Sequence, residues 1–266
     1  MAILVFILFI GGIIYLLRIS RGGSKMVNPL TPVEEKSIQQ ILEEEVPFFK
    51  QLRSGEHRQL YIDRVADFIE SVRFTSAGNA IHVFADEVLV AASAMIPLYA
   101  FPEWTYPNIR EIIFYEGHFD EQFESGKNKS IMGMVGDGYL NDTMLLSLDA
   151  VRTGFDRKEG SNTALHEFIH LIDKADGSVD GIPEYFIPKH LIQPWMNMIR
   201  QLIIEIRTQE SDINPYGGSS DIECFAVVSE YFFEKPELLR QDHPEVYTLM
   251  NRIFKHYSGK DLNVKI

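Results

Sequence analysis

The chain has 266 residues, 45% of them apolar and 12% aromatic, enough for one sizeable domain with its own core. A net charge of −13 argues against non-specific nucleic-acid binding, which needs Lys/Arg patches, so no direct nucleic-acid partner is expected. The single Cys224 excludes an intrachain disulfide framework and suits a reducing compartment.

The chain opens on an almost wholly apolar run, Met1 to Leu17 (MAILVFILFIGGIIYLL). As a helix it extends about 25 Å, close to the thickness of a bilayer core once Ile19 is added. No basic residue precedes it, whereas Arg18, Arg21 and Lys25 follow, unlike a secretory signal. The positive-inside rule puts the following domain in the cytoplasm. The expectation is a single-pass transmembrane anchor over 1–19 and a flexible linker over 20–30 containing Gly22-Gly23-Ser24. One globular domain, 31–266, follows.

That domain begins at Thr31-Pro32-Val33-Glu34, a capping box with proline at the first helical position. It predicts a helix to about Glu44, punctuated by Pro47. A second helix fits Glu56 to Val72, with Leu60, Val65, Phe68 and Ile69 inward. Ala80 to Ala85 reads as a strand, Asp86 to Ala100 as a helix, and Ile109 to Tyr115 as a strand. Gly117 to Lys129 reads as a polar loop. Thr143 to Leu148 is a short apolar run with two readings. It is an ordinary core strand, or an edge strand that holds a peptide backbone by strand addition.

Next comes Thr163-Ala164-Leu165-His166-Glu167-Phe168-Ile169-His170-Leu171-Ile172-Asp173. On a helix, residues four apart share a face, so His166 and His170 aim at one point. Two neutral imidazoles suit zinc and leave room for a third ligand and a water. Glu167 lies one step round, near enough to take a proton from that water. Asn162 supplies a cap, and apolar residues cover much of the helix girth, so the helix is expected to be buried. Asp176-Gly177 and Asp180-Gly181, followed by Pro183, form a loop that turns the chain back.

Pro188 to Thr208 predicts a long amphipathic helix, and Ser211 to Gly218 a loop. Ser219-Ser220-Asp221 caps a helix from Ile222 to Phe233, ended by Pro236. Pro244 to Tyr257 is a last helix packing Val246, Leu249, Ile253 and Phe254. The fold class expected is α+β, mainly helical with a small sheet.

A catalytic zinc site wants three protein ligands. Helix 222–233 offers Glu223 and Glu230 on one face, about 10 Å apart along the axis, so a straight helix supplies only one of them. Asp173 shares the face of His166 and His170 and is a rival, better suited to an orienting or loop-capping role.

Here the residues resemble a known family. His166-Glu167-Phe168-Ile169-His170-Leu171-Ile172-Asp173, with Asp176-Gly177, Asp180-Gly181 and Pro183, looks like the Mlc titration factor A family of bacterial zinc peptidases. Pro215-Tyr216, Glu223 to Phe233 and Pro236-Glu237-Leu238 match its second block. The resemblance is strong from about Asn141 to Tyr257. It implies a zincin-like, gluzincin-type domain holding one Zn2+ per chain through His166, His170 and Glu223. It also implies Glu167 as the base, Tyr216 as an active-site residue, and aminopeptidase-type hydrolysis of peptide or protein substrates. For the founding member it implies binding to a glucose-responsive transcription repressor. The chain departs from that member by its apolar N-terminus and by Leu148, where Trp is expected before Asp149. The alternative is a membrane-anchored regulatory protein that sequesters a transcription regulator, its zinc site structural or vestigial. An intact Glu167 weighs against that alternative, because a closed structural site needs no base.

Overall fold

A computed structural model describes residues 29–125, 129–155 and 161–255. The expected anchor, 1–19, lies outside the described residues, as does the linker up to residue 28. Among the described residues no helix is long and apolar enough to cross a membrane.

The capping box forms as expected. Thr31 Oγ1 accepts from the Glu34 N–H, while the Glu34 carboxylate accepts from the Thr31 N–H. It starts α1 (Pro32–Glu45), followed by the short α2 (Pro47–Gln51). Helix α3 (Gly55–Ser71) buries Tyr61, Val65, Phe68 and Ile69, a stripe at helical spacing. Leu60, expected inward, is one residue off that stripe and exposed. Tyr61 takes the inner position, its hydroxyl donating to the Ala92 carbonyl at 2.7 Å.

Strand β1 (Arg73–Ser76) follows α3 directly. The strand expected over 80–85 does not form. Helix α4 (Phe84–Met95) starts inside it, and Ile81 and Val83 are exposed. The Asp86 carboxylate accepts from the Val83 N–H at 2.8 Å, which caps the helix there. The same carboxylate takes a two-point contact from Arg152, 2.9 Å on each oxygen. Helix α4 stops at Met95 rather than Ala100, because Pro97 lacks the N–H that would continue it.

The remaining strands are β2 (Glu111–Tyr115), β3 (Gly133–Val135) and β4 (Thr143–Ser147), in spatial order β1-β2-β4-β3. β1, β2 and β4 run parallel, and β3 pairs antiparallel to β4, with Gly133 opposite Leu146. β4 is therefore interior, with Met144 to Ser147 buried. The edge position is held by β3, within a stretch with no predicted element. Ser147 Oγ caps α5 (Leu148–Thr153).

Then come α6 (Thr163–Asp173), α7 (Ile192–Arg207) and α8 (Asp221–Glu234). Pro236 ends α8 and opens α9 (Pro236–Asp242), and α10 (Pro244–Lys255) closes the described chain. Helix α6 sits at the centre, packed on α4, α8 and β3. Phe168 is fully buried against Phe68 and Tyr106. On the other side of α8, Phe225 meets Trp195 and Phe254. The result is α+β, mostly helical with a small mixed sheet.

Candidate metal centre

Helix α6 supplies two of the three donors because its N-terminus is fixed at Asn162. Asn162 Oδ1 accepts from the Leu165 N–H at 3.0 Å. His166 and His170 then stand one turn apart, their rings 4.8 Å apart and edge-to-face. Helix α8 supplies the third donor from its first turn, where Ser220 Oγ accepts from the Glu223 N–H. The return loop brings the two helices together: Gly181, at φ +77°, passes so close that a Cβ would lie 2.6 Å from the Asp221 carbonyl oxygen. Trp195 Nε1 donates to the Gly181 carbonyl at 2.8 Å and pins that loop.

Glu223 Oε2 lies 3.0 Å from His166 Nε2 and 3.4 Å from His170 Nε2. The donor atoms of all three residues fall within 4.8 Å of one another. Two nitrogens or oxygens bound at zinc distances and a tetrahedral angle lie about 3.3 Å apart. This donor set therefore fits a zinc-sized cation. The three side chains are 11%, 15% and 20% exposed for His166, His170 and Glu223, so the cluster is shielded yet reachable.

The other carboxylates stand around this cluster in different ways. Glu230 Oε2 is 3.3 Å from His166 Nδ1, and its Oε1 accepts from the Asn162 N–H at 2.8 Å. Asp173 is fully buried, with Oδ2 accepting from the Gly181 N–H at 3.0 Å and Oδ1 without a partner among the described residues. Neither belongs to the three-donor cluster. Glu167 is buried beneath the edge strand. A Cβ on Gly133 would lie 2.8 Å from Glu167 Cγ and Oε1, and 2.7 Å from Thr163 Cγ2. Gly133 therefore lets β3 lie directly on the Glu167 side chain. Sequence reasoning did not single out Gly133, because three residues of strand give no periodicity to read.

The charges reinforce one another. Burial pulls His166 down, but hydrogen bonds to Glu223 and Glu230 outweigh it and raise the imidazole to about 10. Burial pushes Glu223 up, yet hydrogen bonds from His166 and His170 hold it well below the carboxylate range. Burial raises Glu167, opposed by the neighbouring imidazoles. Tyr216, expected in the site, is 56% exposed in the turn before α8, its ring 5.9 Å from that of His166. Burial of its hydroxyl, then the Glu223 charge and hydrogen bond, push it to about 12.

Two imidazoles and a carboxylate from facing helices, a buried glutamate beside them and a mixed sheet with an antiparallel edge define a metallopeptidase-type domain. A family profile described as glucose-regulated metallo-peptidase M90 matches residues 28–255, and the chain belongs to that family. It is 26% identical over 230 residues to an uncharacterized protein of Synechocystis sp., covering 81% of this chain and 82% of that one. It is 25% identical over 224 residues to the Mlc titration factor A of Pectobacterium atrosepticum, covering 79% and 83%. A shorter match, 32% over 128 residues, joins it to the Mlc titration factor A of Serratia proteamaculans, covering 45% and 48%.

Proposed function

We propose that this chain is a zinc-dependent peptidase of aminopeptidase type. The observation that carries the reading is Glu167, a buried carboxylate on the same helix as two of three donors that fit one zinc ion. Zinc held by His166, His170 and Glu223 would supply Lewis acidity and bring the pKa of a water toward about 7. Glu167 takes the proton of the attacking water and passes it to the leaving amine. Its burial-raised pKa suits a base that must later act as an acid. Tyr216 donates a hydrogen bond to the oxyanion, a role commonly worth about 2.7–4 kcal/mol. Glu230 and the Asn162 backbone orient His166. The outer side of β3, where the Val135 N–H donates to Glu167, receives the substrate backbone by strand addition.

The domain works at a membrane, tethered through residues 1–19 with its site on the cytoplasmic side. The test of the enzyme reading is Glu167→Gln. It should keep zinc and lose peptide hydrolysis by about 10³-fold or more. Full zinc loading with no Glu167-dependent hydrolysis of any peptide would defeat it.

The name of its relatives motivates a second reading. Mlc titration factor A is named as a factor that titrates Mlc, and this chain is 25% identical to one such protein over 224 residues. Under that reading the chain sequesters a transcription regulator, and Glu167→Gln leaves sequestration unchanged.

A further inference from the structure

Tyr216 stands on a short 3-10 turn, Pro215–Gly218, in the loop between α7 and α8. The second half of that turn is fixed by packing. A Cβ on Gly217 would lie 3.3 Å from Val227 Cβ, and one on Gly218 3.0 Å from Ile206 Cγ2, so the backbone lies close on α7 and α8. Arg207 Nε donates to the Gly218 carbonyl at 2.6 Å. Locally, Asn214 Oδ1 accepts from the Tyr216 N–H and Ser219 Oγ donates to the Tyr216 carbonyl.

The chain leading into the turn is held differently. A cavity of about 340 Å3 lies beside it, lined by Asp212, Asn214 and Pro215 of the loop and by Glu230, Tyr231 and Leu238. Ile213 is buried, but an apolar contact has no direction of its own. The Asp212 carboxylate supplies direction by reaching two other elements at once. Its Oδ2 accepts from the Tyr231 hydroxyl at 2.6 Å, and its Oδ1 from His243 Nε2, at the α9–α10 junction, at 2.6 Å. Tyr231 lies on α8, about 12 Å along the axis from Glu223. Asp212 therefore ties the loop bearing Tyr216 to the helix bearing Glu223. Its side chain is 44% exposed, and ion pairs so exposed add little to stability.

We propose that Asp212 is a positioning residue: its two bonds set where the loop sits against α8 and so hold the Tyr216 hydroxyl beside His166, His170 and Glu223. The oxyanion role of Tyr216 rests on the peptidase reading, whereas its placement by Asp212 does not.

The experiment uses the full chain with 3-fluorotyrosine in place of Tyr216, read by fluorine NMR with and without zinc. The otherwise unchanged chain should give one resonance that zinc shifts, because the ring lies 5.9 Å from that of His166. Asp212→Ala should keep its zinc content and its denaturation midpoint, yet displace or broaden that resonance. Tyr231→Phe, which removes one of the two donors, should act in the same direction. Asp212→Asn, which keeps an acceptor for the Tyr231 hydroxyl, should restore the resonance. With tyrosine at 216, Asp212→Ala should lower kcat by about 10²-fold at unchanged KM, the order of one lost oxyanion donor. Adding Tyr216→Phe to it should cost less than about threefold more, because both changes remove one interaction. A resonance left unchanged by both Asp212→Ala and Tyr231→Phe overturns the placement. So does an Asp212→Ala chain that fails to fold, since the pair would then hold the domain rather than the loop. Losses that multiply in the double variant overturn the action through Tyr216. A chain that hydrolyses no peptide yet shows an Asp212-dependent resonance refutes the peptidase reading alone.

Discussion

Glu223, Glu230 and Asp173 are three carboxylates within reach of one histidine pair, and their surroundings separate them. Glu223 touches both imidazoles, Glu230 touches the outer nitrogen of one, and Asp173 holds a loop amide. Zinc content should fall steeply in Glu223→Ala, whereas Glu230→Ala should lose activity more than stoichiometry and Asp173→Ala should keep its metal. Elemental analysis of the three purified variants checks this, and a metal-free Asp173→Ala would reverse the assignment. The same residues set a pH response. In the metal-free protein His166 is raised to about 10, so its ion pairs stabilise the fold fully below about pH 6.5 and are lost as pH rises through the folded value. Glu223 is lowered, so its contribution holds above about pH 4.5 and is lost on acidification. A metal needs neutral imidazole and must displace that proton, so apparent zinc affinity should rise about tenfold per pH unit for each proton released. Competition with a chelator across neutral pH measures it, and a flat profile would show that His166 is already neutral.

At the scale of elements, the functional helix was legible because chemistry and periodicity coincide in it. His166, Glu167 and His170 sit at helical spacing inside an apolar run, and Asn162 caps them. The capping box of α1 and the Ser220 cap of α8 were equally readable, being signals between near neighbours. The sheet was not. β1 follows α3 with no turn residue between, and β3 is three residues long. The apolar run at 80–85 misled because its fate depends on Asp86 and Arg152, sixty-six positions apart. Nor could the run at 143–148 tell centre from edge, since that depends on whether β3 pairs with it. The edge strand carries its own prediction. Gly133→Ala places a methyl group on Glu167 and Thr163, which must shift. A displacement near 1 Å in a reacting group costs about 10²-fold, so kcat should fall by that order with zinc content unchanged. Wild-type turnover in Gly133→Ala would mean that the strand yields instead.

At the scale of the whole molecule, α6 is buried by α4, α5 and α8 on the helical side and by β3 and β4 of the sheet. Phe168 is the largest of its fully buried side chains, and Phe168→Ala should cost about 3–5 kcal/mol, read as a lower denaturant midpoint at constant slope. Zinc should recover part of that loss by mass action. A loss below about 1 kcal/mol would mean that the surrounding aromatics collapse into the space. The charge asymmetry around residues 1–25 makes the remaining prediction at this scale. A reporter fused to the C-terminus should be active only on the cytoplasmic side. A signal from the opposite face, or a mature chain beginning near Lys25, would remove the anchor.

Cys224 follows Glu223 directly and is wholly enclosed, its thiol pushed up to about 12 by burial. Such a sulfur is deaf to alkylating reagents while α8 stays docked. Its labelling rate is therefore a clock for transient opening of the helix that carries Glu223. In a series of chelator and zinc concentrations, the slowing of that clock should track metal occupancy, giving an optical titration of the centre without any substrate in hand.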